Sequence, residues 1–188
     1  MITRQQALEL LHSKMESVNL RRHCYAVEAV MQALARHFKA DEEKWGVVGL
    51  LHDGDYEGTK STPEKHTILM AEWLKQMGET DPEIMGAILS HNYAHTGQNP
   101  PKNKLEWSLY CCDELTGFII AVALVRPEKS LAVVTYENLL KKWPEKSFAA
   151  GVKREQVEEC EARLGIPVKE FMELSLSAMQ SIAPDLGL

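Results

Sequence analysis

Residues 41–55 read Asp41-Glu42-Glu43-Lys44-Trp45-Gly46-Val47-Val48-Gly49-Leu50-Leu51-His52-Asp53-Gly54-Asp55. An aspartate at the N-cap accepts from free backbone N–H groups of the first helical turn, and a glycine just past the last turn closes it. Asp41 therefore starts a helix that reaches His52-Asp53 and stops at Gly54. An apolar helix that ends on an imidazole and a carboxylate sets the question for the rest of the chain: what surrounds this pair.

Helical punctuation continues on both sides. Thr3-Arg4-Gln5-Gln6 carries the N-cap and N3 residues of a capping box and opens a helix to about Met15. A second runs from about Asn19 to His37, with Leu20, His23, Val27, Val30, Met31, Leu34 and Phe38 at intervals of three or four. C-terminal to the quoted stretch, Thr62-Pro63-Glu64 predicts the start of a helix that ends at Gly78, and Asp81-Pro82-Glu83 predicts another to about His91. A polar loop follows, Asn92 to Lys104, then a long helix from about Leu105 to Val125, ended by Pro127. Further helices are expected over Thr135 to Trp143, Lys153 to Leu164 and Pro167 to Ile182. No period-2 strand pattern, internal repeat or long linker interrupts them. The expectation is one all-α domain over residues 1–188, a helical bundle with a C-terminal helical extension after Pro127.

The chain has 188 residues, 45% of them apolar and 26% charged, within the range of ordinary globular domains. A net charge of −6 disfavours a duplex nucleic acid partner but not a small anion, because a local site can oppose the global sign. Cys24, Cys111, Cys112 and Cys160 form no C-x-x-C pair, and the start of the chain has no apolar leader segment, so a reducing cytoplasm is the expected location. The longest apolar run, Phe118 to Val125, is too short to span a bilayer, and no membrane partner is expected. Composition does not set the oligomeric state.

Four helices each direct polar, metal-capable side chains at the apolar stripe. His23 leads the Val27-Val30-Leu34 stripe, His66 is in register with Leu69, Met70, Trp73, Leu74 and Met77, His91 follows Ile84 and Ile88, and Asp113 sits among Leu109, Cys112, Thr116 and Ile120. Singly, each histidine reads as a hydrogen-bonded core residue. An ionised carboxylate in an apolar stripe is costly unless paired or metal-bound, and several such groups together call for a shared divalent cation.

His23, then His52-Asp53 at a helix end, then Asp113 on a later helix resembles the H…HD…D signature of the HD-domain metal-dependent phosphohydrolase superfamily. His66 and His91 are similar to the two further histidines of its binuclear branch, H…HD…H…H…D. The segments Gly49 to Asp53, Asp113 to Gly117 and Leu124 to Pro127 also resemble a group of small stand-alone predicted HD hydrolases. The resemblance spans His23 to Asp113 and implies an HD-domain bundle with a metal-binding core at about residues 19–126 and C-terminal helices at about 127–188. It further implies a first metal on His23, His52, Asp53 and Asp113, and a second that shares Asp53 and takes His66 and His91. Such mixed imidazole and carboxylate ligands suit Fe, Mn, Co or Ni better than Zn or Mg, and whether one ion or two bind stays open.

Two ions with two aspartates would leave a cationic pocket and supply a metal-activated hydroxide, which favours hydrolysis of a small phosphoester, a nucleotide among the candidates. Asp53 is then central to catalysis, and His95, beside the polar loop, is the candidate general acid. Of the cations, Lys60, the Lys141-Lys142 pair and Lys153-Arg154 among them, Arg126 and Lys146 are the favoured substrate contacts. Asp55 and Glu57 read as solvated turn residues, with hydrogen bonds to ligand imidazoles as the alternative. The cysteines read as packing groups, and Tyr56 and Tyr93 as loop rings on which a base could stack. Two other functions stay open: a di-iron oxygenase of the same fold, and a non-enzymatic ligand-sensing domain.

Overall fold

The computed structural model describes all residues, 1–188, and contains twelve α-helices, two 3-10 turns and no strand. The all-α expectation holds. Helix α1 (Arg4–Lys14) carries the predicted capping box, Thr3 with Gln6. Ser17 caps α2 (Val18–Phe38), and Asp41 caps α3 (Glu42–Leu51) by accepting from the Lys44 N–H at 3.0 Å.

The α2–α3 contact brings the quoted stretch to the second helix. It depends on a small residue at one point: a Cβ on Gly49 would lie 2.9 Å from both the Glu28 Cα and the Val27 carbonyl oxygen. Any side chain there would push the α3 backbone off α2 and carry His52 away from His23.

Beyond α3 come α4 (Tyr56–Thr59), a 3-10 turn (Pro63–Lys65), α5 (Ile68–Gln76), α6 (Pro82–His91) and α7 (Tyr93–Thr96). Here the structure corrects the sequence reading: Thr62-Pro63-Glu64 starts only the 3-10 turn. The chain leaves it through His66 and through Thr67 at φ 72°, and α5 begins at Ile68 with no side-chain cap at Thr67. The reason is tertiary. Asp55 accepts from the backbone N–H of Met70 at 2.9 Å and so supplies the missing cap from outside the helix.

Helix α8 (Lys104–Leu124) packs against α2, α6 and α10 (Arg154–Leu164). It is long and apolar enough to cross a membrane by length and composition, more than the run Phe118 to Val125 suggests, yet over half of its most apolar window is buried within the bundle. After Pro127, a 3-10 turn (Leu131–Val133) and α9 (Tyr136–Lys142) lead to α10, which lies on α8, and to α11 (Val168–Ser181) and α12 (Ala183–Leu186), which lie on α2. The bounds of α9, α10 and α11 match the predicted ones to within a residue or two, whereas the 3-10 turn and α12 were not expected. One cluster of 46 buried residues, from Ile2 to Leu186, runs through N-terminal and C-terminal helices alike.

Candidate metal centre

Six side chains from five elements converge at one end of the bundle: His23 of α2, His52 and Asp53 at the end of α3, His66 after the 3-10 turn, His91 at the last residue of α6, and Asp113 in the middle of α8. They form two groups. In the first, His23 Nε2 lies 2.9 Å from Asp113 Oδ1 and 3.2 Å from His52 Nε2, and His52 Nε2 lies 3.4 Å from Asp113 Oδ1. In the second, His66 Nε2 and His91 Nε2 each lie 3.2 Å from Asp53 Oδ1. The other oxygen of Asp53, Oδ2, is 3.7 Å from both His23 Nε2 and His52 Nε2. A single carboxylate therefore faces both groups, one oxygen to each.

The outer nitrogens fix the tautomers. His52 Nδ1–H donates to the Gly49 carbonyl at 2.7 Å, within the last turn of α3. His66 Nδ1–H donates to Asp55 Oδ1 at 2.7 Å. The Thr116 hydroxyl donates to the Asp113 carbonyl at 2.8 Å, which leaves its lone pair to accept from His23 Nδ1–H at 3.3 Å. Three imidazoles thus keep their proton outside and turn a bare Nε2 inward.

Two such lone pairs at 3.2 Å, those of His23 and His52, repel each other unless a cation or a proton lies beside them. The donor set fits a divalent metal on these grounds: inward imidazole lone pairs, ionised carboxylates opposite them, and backbone or carboxylate partners behind. Without metal, protons take that place. Burial by itself would lower the pKa of His23, but the hydrogen bond to Asp113 and the charges of Asp113 and Asp53 raise it to about 9. His66 behaves alike: burial opposes, Asp53 and Asp55 prevail, and the value rises to about 9. Burial pushes the two central carboxyls up, yet His23 and His52 hold Asp113, and His52, His66 and His91 hold Asp53, well below the usual carboxylate range.

The family model for the HD domain matches residues 20–155, well over half of the chain. The chain belongs to the HD-domain family. Comparison with curated proteins and with solved structures found no match. The HD superfamily consists mostly of metal-dependent hydrolases, and the all-α fold and the His/Asp groups of this HD domain agree with it.

Beside the donors of this HD domain lies a cavity of about 240 Å3, into which Asp53, His66, His91 and Asp113 face together with Tyr56, Lys60, His95, Tyr110 and Gln156. His95, on α7, reaches the same cavity as the donors. Burial lowers its pKa, with Lys153, His91 and His66 adding to the shift. The two cations favoured from sequence do not line the cavity. Arg126 lies thirteen residues beyond Asp113, about 20 Å along the helix axis, and is bound to Asn138 and Glu128. Lys146 is exposed in the segment between α9 and α10. The cation in the cavity wall is Lys60, just after α4, whose Nζ lies 5.9 Å from the Tyr56 ring centroid.

Asp55 corrects a further expectation. It is fully buried, and both carboxylate oxygens are used, one by His66 and one by the α5 backbone. Glu57 instead accepts from the backbone of Glu16 and Ser17, 2.7 and 3.3 Å, and ties α4 to the α1–α2 turn. Asn92 donates to the carbonyls of Pro63 and His66 and so holds the segment that carries His66. All four cysteines are buried and free, and burial pushes the Cys160 thiol up to about 12, as packing groups require.

Proposed function

We propose that the protein is a metal-dependent phosphohydrolase acting on a small phosphoester, a nucleotide among the candidates. The observation that carries this reading is the divided carboxylate of Asp53, with Oδ1 at 3.2 Å from His66 and His91 and Oδ2 at 3.7 Å from His23 and His52. His23, His52, Asp53 and Asp113 would hold one divalent ion, and Asp53, His66 and His91 a second, with Fe, Mn, Co or Ni suited to the mixed donors. Bound there, such ions supply Lewis acidity and lower the pKa of water toward neutrality.

The remaining work falls to the chain. Lys60 meets the phosphate charge at the cavity wall. His95 shares that cavity and is the group that exchanges a proton with the leaving-group oxygen. Asp55, Thr116 and the Gly49 carbonyl keep three imidazoles oriented, so the donors need no rearrangement when the ligand arrives. The partner this reading implies is a small phosphorylated molecule; a duplex or a membrane has no part in it.

The test is phosphate release from phosphomonoesters, nucleotides, cyclic nucleotides and dinucleoside polyphosphates by protein reconstituted with Mn, Co, Ni or Fe. Wild type should hydrolyse at least one, and Asp53→Ala none. Full activity in Asp53→Ala overturns the mechanism. Oxygen consumption by the iron form with no phosphate released would assign the oxygenase chemistry of the same fold instead, and a metal-free protein that hydrolyses nothing would assign a ligand-sensing role.

A further inference from the structure

The metal donors open on two sides. Asp53, Tyr56, Asp113 and Glu114 face the cavity described above, and the same four residues also face a second, shallower one of about 360 Å3 on the side of His23. Beyond the donors its walls are apolar or bare: Leu20 in the first turn of α2, Gly117 of α8, and Ala149, Gly151 and Val152 in the segment before α10. That segment is tied down, because Glu114 accepts from the Lys153 backbone N–H at 3.1 Å and the Ala149 carbonyl from that of Val152 at 3.0 Å.

Nothing in the packing requires glycine at 117 or 151. Neither residue has a positive φ, and a Cβ on either would meet no atom within 4 Å, in contrast to the crowded Gly49. Glycine inside a helix costs stability relative to alanine, so Gly117 weakens α8 without gaining a contact. What the two bare positions do is keep the second cavity open. From Gly117 the same face of α8 passes the half-buried Ile120 and Ala121 and reaches Leu124, 49% exposed, about 10 Å along the helix axis. No side chain on this path carries a charge, a donor or an acceptor, so a ligand group that lies there is matched by hydrocarbon.

From this geometry we infer that the second cavity is a tail groove, which takes the aliphatic chain of a phosphoester whose phosphate sits at the metal donors. The ester oxygen stays at the boundary between the two cavities, where His95 lines the first, and the chain runs past Gly117 toward Leu124. A shallow groove buries about half of each methylene, so affinity should rise about twofold per methylene, against about fourfold for full burial. The inference rests on the phosphohydrolase reading for the position of the phosphate, but the groove can be tested without turnover.

Two measurements separate them. Calorimetric titration of Mn-loaded protein with methyl-, butyl- and octylphosphonate, which carry no ester bond to break, is expected to show an octyl-to-methyl affinity ratio of about 100-fold. That ratio is expected to fall about tenfold or more in Gly117→Leu and in Gly151→Leu, which fill the groove from opposite walls. Both new side chains start in open space, so neither strains the fold. A ratio near one in wild type, or a wild-type ratio kept by both variants, overturns the groove. Hydrolysis is then followed on methyl, butyl and octyl phosphate. Chain-dependent phosphonate binding by a protein that hydrolyses no phosphoester would uphold the groove and overturn the phosphohydrolase reading. Hydrolysis with a kcat/KM independent of chain length would do the reverse.

Discussion

Asp55 gives one oxygen to the imidazole of His66 and the other to the first turn of α5, so its removal frees a donor ring and leaves a buried backbone N–H unpaired. Asp55→Ala should weaken metal at the His66–His91 group by about 10–100-fold and leave the group of His23, His52 and Asp113 nearly as it was. Mn2+ titration followed by calorimetry would resolve the two; equal weakening of both would contradict the assignment. For His95, replacement by Ala should lower kcat by about 10²-fold or more on alkyl phosphates, and by much less on p-nitrophenyl phosphate, whose leaving group needs no proton. Equal losses on both would remove it as the proton donor. The six side chains that converge here were legible in the sequence as candidate ligands: His23, His66, His91 and Asp113 lie on or beside an apolar stripe where a polar group must be explained, and His52-Asp53 ends an apolar helix. Asp55 was not, since its partners His66 and Met70 lie eleven and fifteen residues away and nothing local distinguishes a buried turn aspartate from a solvated one. Arg126 and Lys146 were misjudged for a similar reason: charge is visible in a sequence, but direction around and along a helix bundle is not.

At the scale of elements, the centre depends on how closely α3 lies on α2. Gly49→Ala would place a methyl group against the Glu28 backbone, which cannot swing aside as a side chain would. Overpacking of this kind costs about 1–3 kcal/mol. The urea midpoint of the variant should fall, and its metal affinity should fall with it, because His52 moves with α3. A variant as stable as wild type that binds metal as tightly would show that the helix contact does not set the site. The starts of α1, α3 and α6 were read from capping side chains next to them in the chain, and α2 from its apolar spacing, its cap Ser17 having passed unnoticed; α3 ends at Leu51, short of the expected His52-Asp53. The start of α5 was misread, because its cap comes from Asp55 and a left-handed Thr67 intervenes. The short helices α4 and α7, four residues each, carry no periodic pattern to read, although Lys60 follows one and His95 belongs to the other.

For the whole molecule, the centre links metal, protons and stability. His23 and His66 have folded-state pKa values raised from 6.5 to about 9, so the stability they contribute to the metal-free protein is fully present below 6.5 and is lost as pH rises through about 9. Asp53 and Asp113 are shifted down from 3.8, and their contribution is present above that value and lost as pH falls. Urea unfolding in EDTA should therefore show a lower midpoint at pH 9 than at pH 6.5. With Mn2+ bound, the same lone pairs are taken by metal, and the decline should vanish or reverse. A midpoint in EDTA that does not fall between these values would contradict the protonated cluster. The central claim is that Asp53 joins two metal sites, and metal stoichiometry tests it most directly. Elemental analysis after reconstitution and desalting should give two ions per chain for wild type, one for His66→Ala and close to none for Asp53→Ala; two ions retained by Asp53→Ala, or none by wild type, would contradict it.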